Sequence, residues 1–285
     1  MSIRDQSYDR YDGPLRQGLN WAVIGWSGFR TYWSFWRTKL TLFAVWLIPV
    51  IFGLLIIVEA AFADGGATPL DGSGQAESIG LLLDIQLFAL ALVFIARGCN
   101  IISDDLRHGT LQLYFSKPVS RLDYAGGKLL TLVLLGTVAV LIPSALLAAM
   151  RTAFLAQTQA LGPVIAVHAQ ALAMVTILVV LVSSIVIGLS SLTRRTGYAV
   201  LAIIALLVVP LIVQIIVGVT SGGSPWTRLI SLNGMMGLAT DALIGGPDVM
   251  PDEIPRVVPF IAIAAVISAG LGALRWRLAN LHRVN

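Results

Sequence analysis

The stretch AQALAMVTILVVLVSSIVIGLSSL, from Ala169 to Leu192, decides the fold. It carries no charge, and it is longer than the roughly 20 helical residues needed to cross a hydrocarbon core. In lipid an unclosed strand would leave its amides and carbonyls unpaired, so the stretch reads as a transmembrane helix. Working outward, five more runs meet the same test: Leu40–Phe62, Ile79–Ile102 and Lys128–Met150 before it, Tyr198–Val219 and Val257–Leu274 after it. Charged residues make up 12% of the 285 residues, about half the share of a soluble domain, so most of the surface is built for lipid. The expected fold is an all-α integral membrane protein with six spans in a single transmembrane domain, residues 1–285. Residues 1–39 form a cytosolic tail and an interfacial helix, 40–274 the spans, and 275–285 a second cytosolic tail.

Arginines and lysines in the short flanks set the orientation, because positive charge is retained on the cytosolic side. Arg4, Arg10, Arg16, Arg30, Arg37 and Lys39 precede the first span; Arg107, Lys117, Arg121 and Lys128 lie between spans two and three; Arg194 and Arg195 follow span four; Arg275, Arg277 and Arg283 follow span six. The opposite side holds only Arg151, Arg228 and Arg256. Both termini and residues 103–127 are therefore expected inside, and residues 63–78 and 220–255 outside. Within the latter, WTRLISLNGMMGLATDALIGG (Trp226–Gly246) repeats its apolar residues at helical spacing, which predicts short extracellular helices between spans five and six. Before span one, Trp21, Ile24, Gly25, Gly28, Phe29, Tyr32, Trp33 and Trp36 share one helical face, and Ser27, Arg30, Ser34 and Arg37 share the opposite one. That is the pattern of an amphipathic helix at a membrane interface, with its aromatic face at the acyl boundary.

Several function classes fall away. The net charge of +4 is scattered over short connections and builds no basic stripe for nucleic acid. Cys99 is the one cysteine and lies in an apolar run, so it supports neither an intramolecular disulfide nor a thiolate metal site. His108, His168 and His282 lack ligand spacing. The first residues hold no apolar core of a signal peptide, so insertion is expected to rely on span one.

The most informative connection is ISDDLRHGTLQLYFSKPVSRLDYAGGKLL, Ile102–Leu130. Asp104, Asp105, Arg107 and Lys117 alternate with Leu106, Leu111, Leu113, Tyr114 and Phe115, punctuated by Gly109 and Pro118. Pro118 ends any helix, and Ser120 with Asp123 forms a capping-box signature for a helix running into span three. The short amphipathic segment between them has too many apolar residues to leave in water and too few to fold a core alone. It is expected to dock on the membrane surface, on the chain's own helices, or on a soluble partner.

The same loop resembles the signature loop of ABC-2-type transporter permeases. The resemblance rests on Asp104-Asp105, Gly109-Thr110-Leu111, Pro118-Val119-Ser120-Arg121 and Gly127-Lys128-Leu129, in that order. It extends to the layout of interfacial helix, six spans and outer helices. It implies the membrane subunit of an ATP-driven exporter in a bacterial inner membrane, pairing with a second copy. It further implies that Asp104, Asp105, Leu106, Gly109, Thr110, Leu111, Leu113, Tyr114, Phe115 and Pro118 form the element that fits a separate cytosolic ATPase. ATP and Mg are expected on that partner and no cofactor on this chain. Consistent with this, Gly127-Lys128-Leu129 lacks the hydroxyl and the upstream glycine of a phosphate-binding loop.

Ionisable and polar groups at membrane depth are candidates for a translocation path. Glu59 and Asp84 fall near the outer ends of spans one and two, Arg97 lies within reach of the cytosolic interface and of Asp104 or Asp105, and Gln214 lies one turn past Pro210. A rival class, an ion-gradient-driven carrier or channel, would use Glu59, Asp84 and Arg97 for coupling. It would be expected to show inverted repeats and matched broken helices, and the sequence shows neither. In the last span, Ala264, Ser268 and Gly272 recur every four residues, a face expected to pack on another span.

Overall fold

The computed structural model describes residues 19–62, 72–110, 119–155, 160–193, 195–245 and 251–280. The segment Leu111–Pro118 of the predicted docking element lies outside them, as does the side chain of Glu59. Among the described residues all regular structure is helical, and six helical stretches are long and apolar enough to cross a membrane.

The first helix, α1 (Asn20–Ser34), is separated from α2 (Trp36–Phe62) by Phe35, whose backbone is extended at φ −77° and ψ 127°. Span two is α3 (Gly72–Arg97), followed after a two-residue break by α4 (Asn100–His108). Span three comprises α5 (Arg121–Gly136), a π-helical turn (Thr137–Leu141) and α6 (Ile142–Leu155). Spans four, five and six are α7 (Leu161–Leu192), α8 (Thr196–Thr220) and α10 (Val258–Ala279). Between the last two lie a 3-10 turn (Pro225–Ile230) and α9 (Leu232–Leu243), the short helices that the spacing predicted.

The charge-free stretch that decided the fold forms the centre of the bundle. Met174, Leu178, Leu181, Val186 and Ile187 of α7 are fully buried, as are Ser183, Ser184, Ser190 and Ser191. A helix apolar all round is covered by protein or by lipid, and α7 is enclosed by protein. Its small residues let α10 come close, and a Cβ on Gly188 would stand 2.7 Å from the Gly270 carbonyl oxygen. This corrects the packing face expected for span six. Ala264, Ser268 and Gly272 point away from the bundle, while Ile263, Gly270, Leu274 and Leu278 meet it.

The aromatic face of α1 also divides differently from the pattern. Ile24, Gly25, Gly28 and Tyr32 turn toward α5 and α4, and Trp33 and Trp36 stay exposed. Gly25 sets the approach: Leu130 occupies the space that a Cβ there would need, and Thr131 Oγ1 donates to the Gly25 carbonyl at 3.2 Å. The first helix is thus held by protein along the start of span three.

The π turn has a covalent cause. Pro143 has no N–H and its ring clashes with the carbonyl four residues earlier, so an ordinary α-helix cannot pass through it unchanged. The chain inserts a wider turn, in which Ile142 N–H donates to Thr137 O. Val138 O would take the next such bond from residue 143, where proline offers none. Trp46 Nε1 of span one supplies that bond at 3.0 Å. A carbonyl orphaned in lipid costs too much to leave open, and a neighbouring span satisfies it.

Candidate functional site at the end of span two

Span two stops being continuous at Gly98 and Cys99, whose amides both donate to Phe94 O, at 2.6 and 2.9 Å. The next helix, α4, therefore begins inside the protein with free N–H groups that need an acceptor. Ser190 of the central helix provides it. Its Oγ accepts from Ile102 N–H at 3.2 Å and Ser103 N–H at 3.1 Å, and donates to Cys99 O at 2.7 Å. One buried hydroxyl thus closes the break from the carbonyl side and the amide side together. Ile101, Ile102 and Ser103 are buried below it.

The outer turn of α4 carries the acidic pair. Asp105 turns inward: its Oδ2 accepts from Tyr124 OH at 2.6 Å and lies 2.7 Å from Lys128 Nζ, and its Oδ1 accepts from Thr110 Oγ1 at 3.0 Å. Only 17% of the Asp105 side chain and 15% of the Lys128 side chain reach solvent. Asp104 makes a longer contact, accepting from Thr196 Oγ1 at 3.3 Å at the start of α8. His108 Nδ1 lies 2.9 Å from Asp104 O. The helix ends on Gly109 at φ 68°, left-handed backbone that glycine adopts without a Cβ penalty, and the Gly109 amide returns to Asp105 O. Leu106 packs against the apolar core.

The residues that follow Pro118 confirm the predicted cap. Asp123 N–H donates to Ser120 Oγ at 3.0 Å and Ser120 N–H to Asp123 Oδ2 at 3.1 Å, so α5 starts on a complete capping box. Tyr124 is fully buried one turn in, and Lys128 follows one turn later over the Tyr124 ring. Spacing of four residues along one helix face is the signal that unites these two with Asp105. Ser190 and Thr196 had no comparable signal, because their partners lie about ninety positions away. From the other side, Tyr32 OH of α1 donates to Asn100 Oδ1 at 3.4 Å. Burial holds the Tyr32 phenol above the ordinary tyrosine range, with Asp104 and Asp105 adding to the rise and Arg97 opposing it.

Asp84, Arg97 and Gln214, the path candidates whose side chains are described, are not brought together into one site. Arg97 pairs with neither aspartate among the described residues, because Lys128 and Tyr124 already occupy Asp105. Its guanidinium lies 5.3 Å from the Phe35 ring centroid, at the corner between α1 and α2. Asp84 instead faces Arg228 and accepts from the Asn233 side chain. Gln214 Oε1 accepts from Ser231 Oγ, while Arg228 Nη1 bonds Asp241 at 2.8 Å. Asp84 and Gln214 therefore both hold the 3-10 turn and α9 onto spans two and five. In the carrier reading Asp84 would be an ion-coupling group, and here it is committed to that outer segment.

A six-span helical bundle with an anchored helix projecting from the end of span two is the frame of a transport permease. The ABC-2 family transporter protein family matches residues 31–231, well over half of the 285 residues, and the chain belongs to it. The protein is thus a multi-pass membrane transport component. No curated protein matches the sequence.

Proposed function

We propose that this chain is the membrane subunit of an ATP-driven exporter, and that the segment Asp104–Phe115 with Pro118 docks a separate cytosolic ATPase and transmits its motion. One observation carries this reading. The helix leading into the docking segment is tied to three different spans: to α7 through Ser190, to α5 through Tyr124 and Lys128, and to α8 through Thr196. Force applied to Leu111, Leu113, Tyr114 and Phe115 passes into those spans chiefly through the bonds at Ser190 and Asp105, with the longer Asp104–Thr196 contact beside them. The aspartates act in this reading as the anchors of the docking element and the apolar residues as its contact surface.

ATP and Mg belong to the ATPase, and this chain supplies no catalytic group. Two copies of the chain enclose the path, with spans one, two and five facing it. The exposed apolar side chains along α2 and α8, including Leu47, Ile51, Leu201 and Ile212, suit contact with the second copy or with lipid. Both termini and the docking segment face the cytosol of a bacterial inner membrane, and substrate leaves on the other side.

Copurification tests the docking. Aromatic anchors at an interface centre commonly cost about 2 kcal/mol or more on truncation, roughly thirtyfold in affinity. Tyr114→Ala with Phe115→Ala should release the candidate ATPase, abolish transport, and leave insertion intact. Full ATPase retention with undiminished transport would remove the coupling role.

A further inference from the structure

At the opposite end of the bundle from the docking segment, α2, α3, α6 and α7 part around a cavity of about 240 Å³. Its walls are aliphatic, among them Leu83, Leu147 and Val175, and polar groups enter only from Ser144, Arg151 and His168. Two of those three are already engaged. Ser144 Oγ donates to Val140 O at 2.5 Å and accepts from Gln86 Nε2 at 2.5 Å. His168 Nδ1 lies 2.8 Å from Val164 O and 3.3 Å from Thr152 Oγ1. Arg151 differs: it is half-buried in the last turns of α6, and among the described residues it has neither a carboxylate within ion-pair distance nor a hydrogen bond.

We propose that this cavity holds an acyl chain of an anionic membrane phospholipid whose phosphate rests on Arg151. An apolar cavity of this size offers water few partners and stays dry. In a bilayer the apolar material at hand is a lipid tail, and the cavity lies toward the helix ends, where a tail and its headgroup can both be reached. Because the surrounding tails are as apolar as the cavity wall, moving a chain into it gains little. Selectivity therefore falls on the charge at the mouth, and a guanidinium with no partner among the described residues, beside an aliphatic slot, selects a phosphate headgroup of net negative charge. The site lies within one chain, so it stands whether or not the protein couples to an ATPase.

The test uses the full chain in mild detergent with dioleoyl phosphatidylglycerol or dioleoyl phosphatidylcholine, reading bound lipid by native mass spectrometry. One interfacial arginine is expected to give about a fivefold preference for the anionic lipid. Arg151→Lys should keep that preference, Arg151→Gln should abolish it, and Ala171→Phe, which fills the slot, should block both lipids. Glycerol 3-phosphate, the headgroup without a tail, should displace neither. Equal retention of the two lipids by the native chain, a preference that survives Arg151→Gln, full binding by the Ala171→Phe variant, or displacement by glycerol 3-phosphate would each overturn the proposal.

Discussion

Asp105 and Lys128 meet at 2.7 Å with most of both side chains out of water, and their value differs from that of a surface pair. An exposed ion pair is worth little, whereas removing one partner of a buried pair strands the other charge. Lys128→Met is therefore expected to lower stability by about 1–3 kcal/mol. Asp105→Asn removes the counter-charge beside Lys128 and is expected to cost a similar amount. The double variant should be more stable than the sum of the two losses, because neither charge is then stranded. Thermal unfolding in detergent, followed by tryptophan fluorescence, measures all three, and strictly additive losses would contradict the pairing. Asp104 gives the contrast: one contact of 3.3 Å predicts that Asp104→Asn is nearly neutral for stability. From the sequence the two aspartates are equivalent, and only the position of α5 separates them.

Among elements, α7 and α10 make a close contact, where Gly188 and Gly270 put backbone against backbone. A Cβ on Gly270 would lie 2.3 Å from Ser184 O, and one on Gly188 would lie 2.7 Å from Gly270 O. Neither obstacle is a flexible side chain, so spans four and six would have to separate. Gly188→Ala is expected to cost about 1–3 kcal/mol as overpacking, and Gly272→Ala, with nothing within 4 Å, to cost next to nothing. Equal melting temperatures for the two variants would refute the contact. The same pair shows what the sequence could and could not reveal. Helix existence was legible in every span, because the cost of unpaired backbone in lipid leaves no alternative for a long apolar run. The capping box at Ser120 was legible because its bonds are local. The face of span six was not legible: small residues at four-residue spacing recur on more than one side of that helix, and the choice between them was made by the shape of α7. Trp46 was equally silent, since its role exists only because Pro143, nearly a hundred residues away, orphans a carbonyl beside it.

At the scale of the whole molecule, the fold sorts the charged ends of its helices. The turn from α7 to α8 meets α4 through Thr196 and Asp104, and α1 lies along the start of α5, so the segments rich in arginine and lysine gather at the docking end. The other end holds Arg151, His168 and the Arg228–Asp241 pair. A positively charged flank is retained in the cytosol during insertion, so this asymmetry predicts that the docking end is the cytosolic one. With Cys99 replaced by alanine, Ser221→Cys at the far end should react with an impermeant maleimide in intact cells. His108→Cys at the docking end should react only after the cells are opened. Both positions are exposed in the fold, so an unreactive cysteine reports its side of the membrane and not its burial. Labelling of His108→Cys in intact cells, with Ser221→Cys protected, would invert the molecule and place the docking segment beyond the reach of any cytosolic ATPase.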